Sequence, residues 1–198
     1  MPTTRHSIIP STACLIFHAG KVLLIQYSDK KGERVGRYNR IGGHIEQGEG
    51  ILANARREIL EETGLQLDVT LRGVIHVSNY YGKHFMLFVT TSNASTDVVR
   101  ECDEGTLHRV DPAMLDDYQI FKDVKLVINE IAILQPGELF TATTIFDGQG
   151  ELVSFSREQI ASCKIIQFIY NDYRIFIVFL SNELHNNYQA RQKRQKRI

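Results

Sequence analysis

The sequence predicts an α/β fold, in which one mixed β-sheet packs against a few helices. Short runs of apolar and β-branched residues recur along the chain between turn-forming residues, which is typical of strands. Two longer segments repeat their apolar residues with the period of a helix. After the second of these the chain returns to a strand–turn–strand pattern, so strands and helices alternate.

The strands are predicted from apolar runs that are bounded by turn signals. The first two runs are joined by His18-Ala19-Gly20, which predicts a hairpin. The last two flank Asp147-Gly148-Gln149-Gly150, another favourable turn sequence. In chain order, strands are expected at residues 12–17, 21–27, 38–41, 67–77, 84–90, 107–110, 139–146 and 151–155.

Two helices are expected, at residues 51–62 and 123–134. The first should end at Gly64, because glycine readily adopts the left-handed backbone that closes a helix. The second should end before Pro136, which cannot continue it. Each helix has an apolar side that can face a core, formed by Leu52, Ala55 and Ile59 in the first and by Val124, Val127, Ile128 and Ile131 in the second.

Composition and charge indicate a soluble globular protein with 43% hydrophobic and 23% charged residues. The net charge is zero, but residues 1–156 hold 15 basic and 20 acidic residues, whereas residues 157–198 hold 8 and 3. A mildly acidic body argues against a nucleic-acid groove. It suits a site in which carboxylates hold a cation.

The cysteines argue against a disulfide framework or a cysteine zinc site. Cys14, Cys102 and Cys163 are odd in number, widely spaced and without a CxxC pair. Reduced cysteines are typical of a reducing compartment, and the N-terminus lacks the apolar stretch of a secretion signal. The sequence therefore predicts a cytoplasmic location.

The most informative stretch is residues 43–65, GHIEQGEGILANARREILEETGL. The carboxylates of Glu58, Glu61 and Glu62 fall within about 100° of arc on the predicted helix. Like charges this close repel each other, and the crowding makes sense if a hard divalent cation lies between the oxygens. Magnesium prefers carboxylate oxygens and bridges to substrate phosphates. A solvated helix whose charges only keep the protein soluble is the alternative.

The same stretch resembles the signature of the Nudix hydrolases, G-x5-E-x7-R-E-U-x-E-E-x-G-U, in which U is a bulky aliphatic residue. Nine defined positions match within 23 residues, which is far more specific than a lone glycine motif. The resemblance covers roughly residues 10–156. The matching residues are Gly43, Glu49, Arg57, Glu58, Ile59, Glu61, Glu62, Gly64 and Leu65.

The resemblance implies the Nudix fold, a mixed sheet sandwiched between helices with a loop–helix–loop catalytic motif. It implies hydrolysis of a phosphoanhydride bond in a nucleoside diphosphate derivative, with magnesium, or alternatively manganese, as cofactor. Glu58 and Glu62 would be the main metal ligands. Glu61 would be a further ligand or the base, and a backbone carbonyl near Gly43 would complete the ligand shell.

Three more residues are placed with the catalytic group by this resemblance. Arg57 lies one turn before Glu61, and could pair with it or reach back to Glu49 and fasten the loop. Glu104 matches a glutamate that precedes a strand in many members and acts as a metal ligand or general base. The chain departs from that pattern at Arg109, where a tryptophan is usual, and a solvated acidic turn is the alternative for Glu104.

Residues 37–43 resemble the MutT-type branch, which acts on oxidised purine nucleoside triphosphates. In that branch an asparagine reads the purine edge, and Asn39 matches it; the alternative is that Asn39 caps a turn. Thr12 falls where the branch places another pocket residue. His44 replaces a basic residue and could face phosphate or be structural. Tyr27 stands where a lysine is usual, which leaves the exact base open.

The preferred reaction is therefore the cleavage of a purine nucleoside triphosphate to monophosphate and pyrophosphate. The rival substrates are ADP-ribose, a dinucleoside polyphosphate or a nucleotide sugar; Tyr80 and Tyr81 follow the motif where dinucleoside polyphosphate hydrolases keep a tyrosine. A further alternative is a Nudix domain that binds nucleotide without cleaving it, although such domains often lose carboxylates that are all present here.

Residues 157–198 are expected to form an extension beyond the Nudix domain of residues 1–156. Residues 165–170 and 173–180 could form a hairpin around Asn171-Asp172. Charged residues interrupt this apolar stretch, so a membrane span is not expected. The hairpin needs a partner surface on the body or in a second chain, which would make a homodimer. The basic end, residues 191–197, is interpreted as a solvated tail rather than a nucleic-acid contact.

Overall fold

The computed structural model describes residues 6–28, 34–100 and 103–158, together with the backbone of two strands farther along the chain. It confirms the predicted fold class, a mixed sheet with helices on both faces. In these described parts, none of the helices combines the length and the apolar character that crossing a bilayer requires.

Eight strands build the sheet, and the order across it is β3-β2-β1-β5-β4-β7-β8, with β6 on the other edge of β2. The pairs β1–β5 and β4–β7 are parallel, and the other neighbours are antiparallel. The strands are β1 (Ile9–His18), β2 (Lys21–Tyr27), β3 (Tyr38–Asn39), β4 (Thr70–Tyr80), β5 (Lys83–Asn93), β6 (Gly105–Val110), β7 (Phe140–Phe146) and β8 (Leu152–Glu158).

The two helices cover opposite faces of this sheet, because successive side chains of a strand point to opposite sides. Helix α1 (Ile51–Thr63) packs Ala55 and Ile59 against Cys14 and Ile16 of β1. Helix α2 (Lys122–Ile133) packs on the other side, where Val124, Val127 and Ile128 join Ala13, Leu15 and Leu24 in the larger core.

Three local expectations about this part of the chain are wrong. The strand predicted at residues 38–41 ends at Asn39, and Ile41 instead makes an isolated bridge to Cys14. β4 begins at Thr70 rather than at residue 67, because Val69 packs into the core beneath α1 instead of pairing. Leu52 is 38% exposed, since the buried side of α1 is occupied partly by polar residues.

The chain divides into two compact units, Met1–Glu158 and Gln159–Ile198. In the second unit the strands β9 (Lys164–Gln167) and β10 (Ile177–Leu180) pair in antiparallel fashion, with Ile177 opposite Gln167. This agrees with the predicted hairpin. Its turn and the basic residues 191–197 lie outside the described residues.

Removal of residues 159–198 should leave the first unit folded, because both of its cores are built from residues before that point. The cut belongs after Glu158 rather than after residue 156, since Thr141 Oγ1 donates to the Glu158 carboxylate at the end of β8 (2.8 Å). We expect a melting temperature within about 4 °C of the full chain, a change of ~1 kcal/mol, and retention of catalysis. Calorimetry and an activity assay check this; an unfolded product would contradict the proposed boundary.

Candidate active site

A loop pinned against β1 forms one wall of the site. The Thr12 N–H donates to the Gly43 carbonyl (2.9 Å), and the Cys14 N–H donates to the Ile41 carbonyl (2.8 Å). Between these bonds Gly42 adopts a φ of +130°, and a Cβ there would lie 2.4 Å from the backbone oxygen of Thr12. Glycine is therefore required where the loop approaches the strand.

Gly43 brings the loop against helix α1. A Cβ on Gly43 would lie 2.5 Å from Oε1 of Glu58, so the absent side chain leaves the room that this carboxylate occupies. Glu58 itself is only 9% exposed. Because Gly43 has no side chain, a cation can approach the Glu58 carboxylate and the Gly43 backbone closely.

Arg57 holds three of the predicted carboxylates together. Its Nε and Nη2 donate to the two oxygens of Glu49 (2.9 and 3.1 Å), and its Nη1 lies 2.9 Å from both Glu58 Oε1 and Glu61 Oε2. Both arrangements considered for Arg57, pairing with Glu61 and fastening the Glu49 loop, occur at once. This two-bond contact lowers the pKa of Glu49 to about 2 and raises the pKa of Arg57.

Asn54 is a structural residue of the site that the sequence analysis missed. Its side chain is fully buried, and its Nδ2 donates to the His44 carbonyl (2.7 Å) and to Glu49 Oε2 (2.9 Å). Its Oδ1 accepts the hydroxyl of Thr12 (2.6 Å). An asparagine within an amphipathic helix was the available signal, because asparagine is unfavourable there unless its amide is used.

The carboxylates on α1 differ in environment. Burial raises the pKa of Glu58, and Glu61 and Glu49 add to that effect while Arg57 opposes it. Glu61 is exposed and Glu62 is half-buried. Burial also raises the pKa of the Cys14 thiol, with a smaller contribution from the charge of Glu62.

Glu104 lies immediately before β6. Its carbonyl accepts from the Ser28 N–H (3.0 Å) and from the Ser28 hydroxyl (3.2 Å), which joins this turn to the end of β2. Glu104 is half-buried rather than fully exposed to solvent. A role for its carboxylate as ligand or base remains a prediction.

A cavity of about 200 Å³ opens beside the loop and gathers residues from distant segments. Four of the predicted residues line it, namely Thr12, Asn39, Gly43 and His44. Gly43 therefore borders both the cavity and the Glu58 carboxylate. Tyr80, noted for the dinucleoside polyphosphate alternative, also lines it, whereas the sequence analysis did not predict the lining residues Arg34, Phe85, Phe121 and Asp123.

The three predicted substrate residues are all engaged within the protein. Nδ2 of Asn39 donates to the Tyr27 hydroxyl (2.5 Å), and Oδ1 accepts from Arg40 N (2.9 Å) and Nη1 (3.0 Å). Thr12 is 2% exposed, and its hydroxyl donates a hydrogen bond to Asn54 Oδ1. The His44 ring stacks on Phe85, with centroids 6.0 Å apart. Their roles toward a substrate remain predictions.

Glu49 should make stability depend on pH in acid. Its pKa falls from 4.5 to about 2 in the fold, so its contribution is present above 4.5 and is lost as pH falls toward 2. Glu49→Gln should therefore lower the melting temperature at pH 7, and the difference from wild type should shrink by pH 3. Glu46→Gln, at an exposed glutamate of the same loop, is the control; an unchanged difference would contradict the assignment.

The profile of the NUDIX domain family matches residues 8–132. The chain belongs to the Nudix family. An oxidized purine nucleoside triphosphate hydrolase of Mus musculus is 43% identical over 67 residues, 34% of this chain. The matched part spans 41% of that relative's length. The predicted resemblance to the family and to its MutT-type branch is thereby confirmed.

Solved structures agree on the fold of this Nudix domain. The MutT protein from Bacillus halodurans superposes with a TM-score of 0.65 at 24% identity, covering 76% of this chain and 98% of its own. The NUDIX domain of Shewanella oneidensis NrtR, solved with ADP ribose, gives 0.56 at 15% identity, covering 67% and 91%. At these identities the similarity concerns the fold alone.

Proposed function

We propose that this chain is a magnesium-dependent hydrolase that cleaves a phosphoanhydride bond in a nucleoside diphosphate derivative. The preferred substrate class is a purine nucleoside triphosphate, oxidised or normal, which is cleaved to monophosphate and pyrophosphate. One observation carries the proposal. Three signature glutamates, Glu58, Glu61 and Glu62, lie on α1, Glu58 packs against Gly43, and Gly43 also borders the cavity.

The residues present fit a divalent cation. Glu58 is buried, its pKa is raised, and one arginine is shared among it, Glu49 and Glu61. A hard cation would supply the missing positive charge through oxygen ligands. Glu58 and Glu62 would hold it, with Glu61 and the Gly43 carbonyl as further oxygen donors.

When bound, magnesium supplies Lewis acidity that neutralises phosphate oxygens and lowers the pKa of water. The protein's own groups do the remaining work. Arg57 and Asn54 hold Glu49 and the loop in place before substrate arrives. A carboxylate, Glu61 or Glu104, accepts the proton of the attacking water. The new P–O bond forms as the anhydride P–O bond breaks, and pyrophosphate leaves.

The purine preference is supported by the lining of the cavity. Aromatic rings of Phe85 and Phe121 offer flat apolar surface for a base, while Asn39 and Asp123 offer polar groups. The mouse relative, which matches 34% of this chain, is an oxidized purine nucleoside triphosphate hydrolase. Tyr80 also lines the cavity, which keeps a dinucleoside polyphosphate as the second candidate.

A substrate screen with product identification tests the proposal. Purified full-length protein is assayed against oxidised and normal purine triphosphates, pyrimidine triphosphates, ADP-ribose, a dinucleoside polyphosphate and a nucleotide sugar. We expect turnover with magnesium or manganese, none in excess chelator, and the highest kcat/KM for a purine triphosphate.

Two outcomes would change the proposal in different ways. If ADP-ribose or a dinucleoside compound is the best substrate, the purine triphosphate assignment fails and the hydrolase class remains. If nothing is hydrolysed although a nucleotide binds, the domain is a binding module and the catalytic assignment fails.

A further inference from the structure

We propose that His6, His76 and His84 form a second metal site, for a divalent transition ion of the zinc class. This site uses none of the carboxylates of α1. Each of the three histidines offers a ring nitrogen, and these nitrogens lie within 4.8 Å of one another.

The sheet topology brings these histidines together. His76 lies on β4 opposite Met86 of β5, so His84 is its diagonal neighbour, two residues away on the same face of the sheet. His6 precedes β1, which runs parallel to β5 with Ile9 beside Phe85. The site therefore joins two central strands to the segment before the first strand.

The distances suit a single ion after small side-chain rotations. The ring centroids are 4.6 Å apart for His6 and His84, 5.8 Å for His6 and His76, and 6.4 Å for His76 and His84. One ring nitrogen from each residue lies within 4.8 Å of the other two. Tetrahedral zinc, with Zn–N bonds of about 2.0–2.1 Å, needs these nitrogens about 3.4 Å apart. The exposed His6 can turn to close the gap.

The available nitrogens provide an independent argument. Nε2 of His76 is buried without a hydrogen-bond partner, which costs free energy unless a ligand satisfies it. Nδ1 of His84 lies 3.3 Å from the Ser78 hydroxyl. A proton on that Nδ1 leaves Nε2 as the acceptor, which is how outer hydrogen bonds orient metal-binding histidines.

The ligand chemistry selects the ion. Imidazole nitrogen suits zinc, copper, nickel and cobalt, whereas magnesium and calcium prefer oxygen. Three histidines leave a fourth position for water or an added ligand. An ion here would tie the segment before β1 to β4 and β5, so binding would also stabilise the fold.

The test measures binding directly on the full-length protein, by competition between the protein and a chromophoric chelator for zinc, with magnesium in excess. We expect one zinc per chain in the wild type. His6→Gln, His76→Gln and His84→Gln should each weaken zinc binding by about 100-fold. Loss of a residue that only hydrogen-bonds to a metal ligand can already cost that much, and loss of the ligand itself should cost at least as much. Zinc should raise the melting temperature of the wild type more than that of each variant.

Control variants separate this site from the rest of the molecule. His18 lies at the far end of β1, and its Nδ1 contacts the Ala94 carbonyl. The His18→Gln variant removes one histidine outside the proposed site and should bind zinc normally. Glu58→Gln and Glu62→Gln should also bind it normally. Because His6 is exposed, its variant keeps the test informative even if a strand variant fails to fold.

Several results would overturn the proposal. Absence of zinc binding by the wild type would do so, as would unchanged affinity in His6→Gln. Zinc binding that is lost in the glutamate variants and kept in the histidine variants would place the ion at the α1 carboxylates instead.

Discussion

Glu58→Gln and Glu62→Gln should each lower turnover by about two to four orders of magnitude, because Lewis-acid catalysis contributes several kcal/mol and each 1.4 kcal/mol is a factor of ten. A neutral amide is a poorer ligand and cannot balance the charge of a cation. Steady-state rates at saturating magnesium measure the effect. Glu46→Gln, at an exposed position outside the carboxylate group, is the matched control.

Although Glu58→Gln should lower turnover, it should not lower the stability of the metal-free protein. Burial raises the pKa of Glu58, so its charged form opposes folding at neutral pH, and that cost disappears once pH falls far enough to protonate it in both states. Without metal, Glu58→Gln should melt at or above the wild-type temperature at pH 7. Magnesium at 100 times its Kd should stabilise the wild type by about 2.7 kcal/mol and the variant much less.

The central assignment depends on these two measurements together. Near-wild-type rates in both variants would remove the carboxylate site from the mechanism. Low rates caused by unfolding would appear as a lowered melting temperature, so the calorimetry distinguishes damage to the fold from damage to the chemistry.

Asn39→Ala should raise KM for the preferred purine nucleotide and flatten the preference among bases. A buried amide that pairs with a base contributes about 1–3 kcal/mol of discrimination, or about 5- to 150-fold in the ratio of kcat/KM values. Magnesium dependence should survive, because Asn39 lies outside the carboxylate group. Rates for an oxidised purine triphosphate, the normal triphosphates and ADP-ribose measure the change.

Tyr27→Phe provides the matched comparison for Asn39. It removes the hydroxyl that accepts from Asn39 Nδ2 and leaves the amide free to meet a base. If Asn39 only holds its own loop, through Arg40 and Tyr27, its alanine variant should melt at a lower temperature and lose activity equally on all substrates. That pattern would contradict a role in base recognition.

Local patterns predicted the parts of the fold that depend on short-range order. The hairpin at His18-Ala19-Gly20, the helix closed by Gly64 and the apolar side of α2 are confirmed, because turn chemistry and helical period act over a few residues. The end of β3 and the start of β4 were wrong. At both places residues pack into the core or bridge β1 instead of extending a strand.

The site was predictable only where the motif itself carries it. Arg57, Glu49 and Glu61 meet because one helix and its loop hold them all. Phe85 and Asp123 line the cavity through the parallel pairing of β1 with β5 and the position of α2. Such long-range pairings leave no periodic trace in a single sequence. Asn54 was missed because a polar residue in a helix is usually exposed.

The adjacent glycines before α1 give this chain two neighbouring positions that tolerate mutation in different ways. At Gly42 an added methyl meets the backbone of Thr12, which cannot move aside. Any substitution at Gly42 should therefore prevent correct folding. At Gly43 the methyl meets the end of the Glu58 side chain, which can swing aside. We expect Gly43→Ala to leave a folded chain with a displaced carboxylate, so one substitution would convert the hydrolase into a nucleotide-binding domain without catalysis.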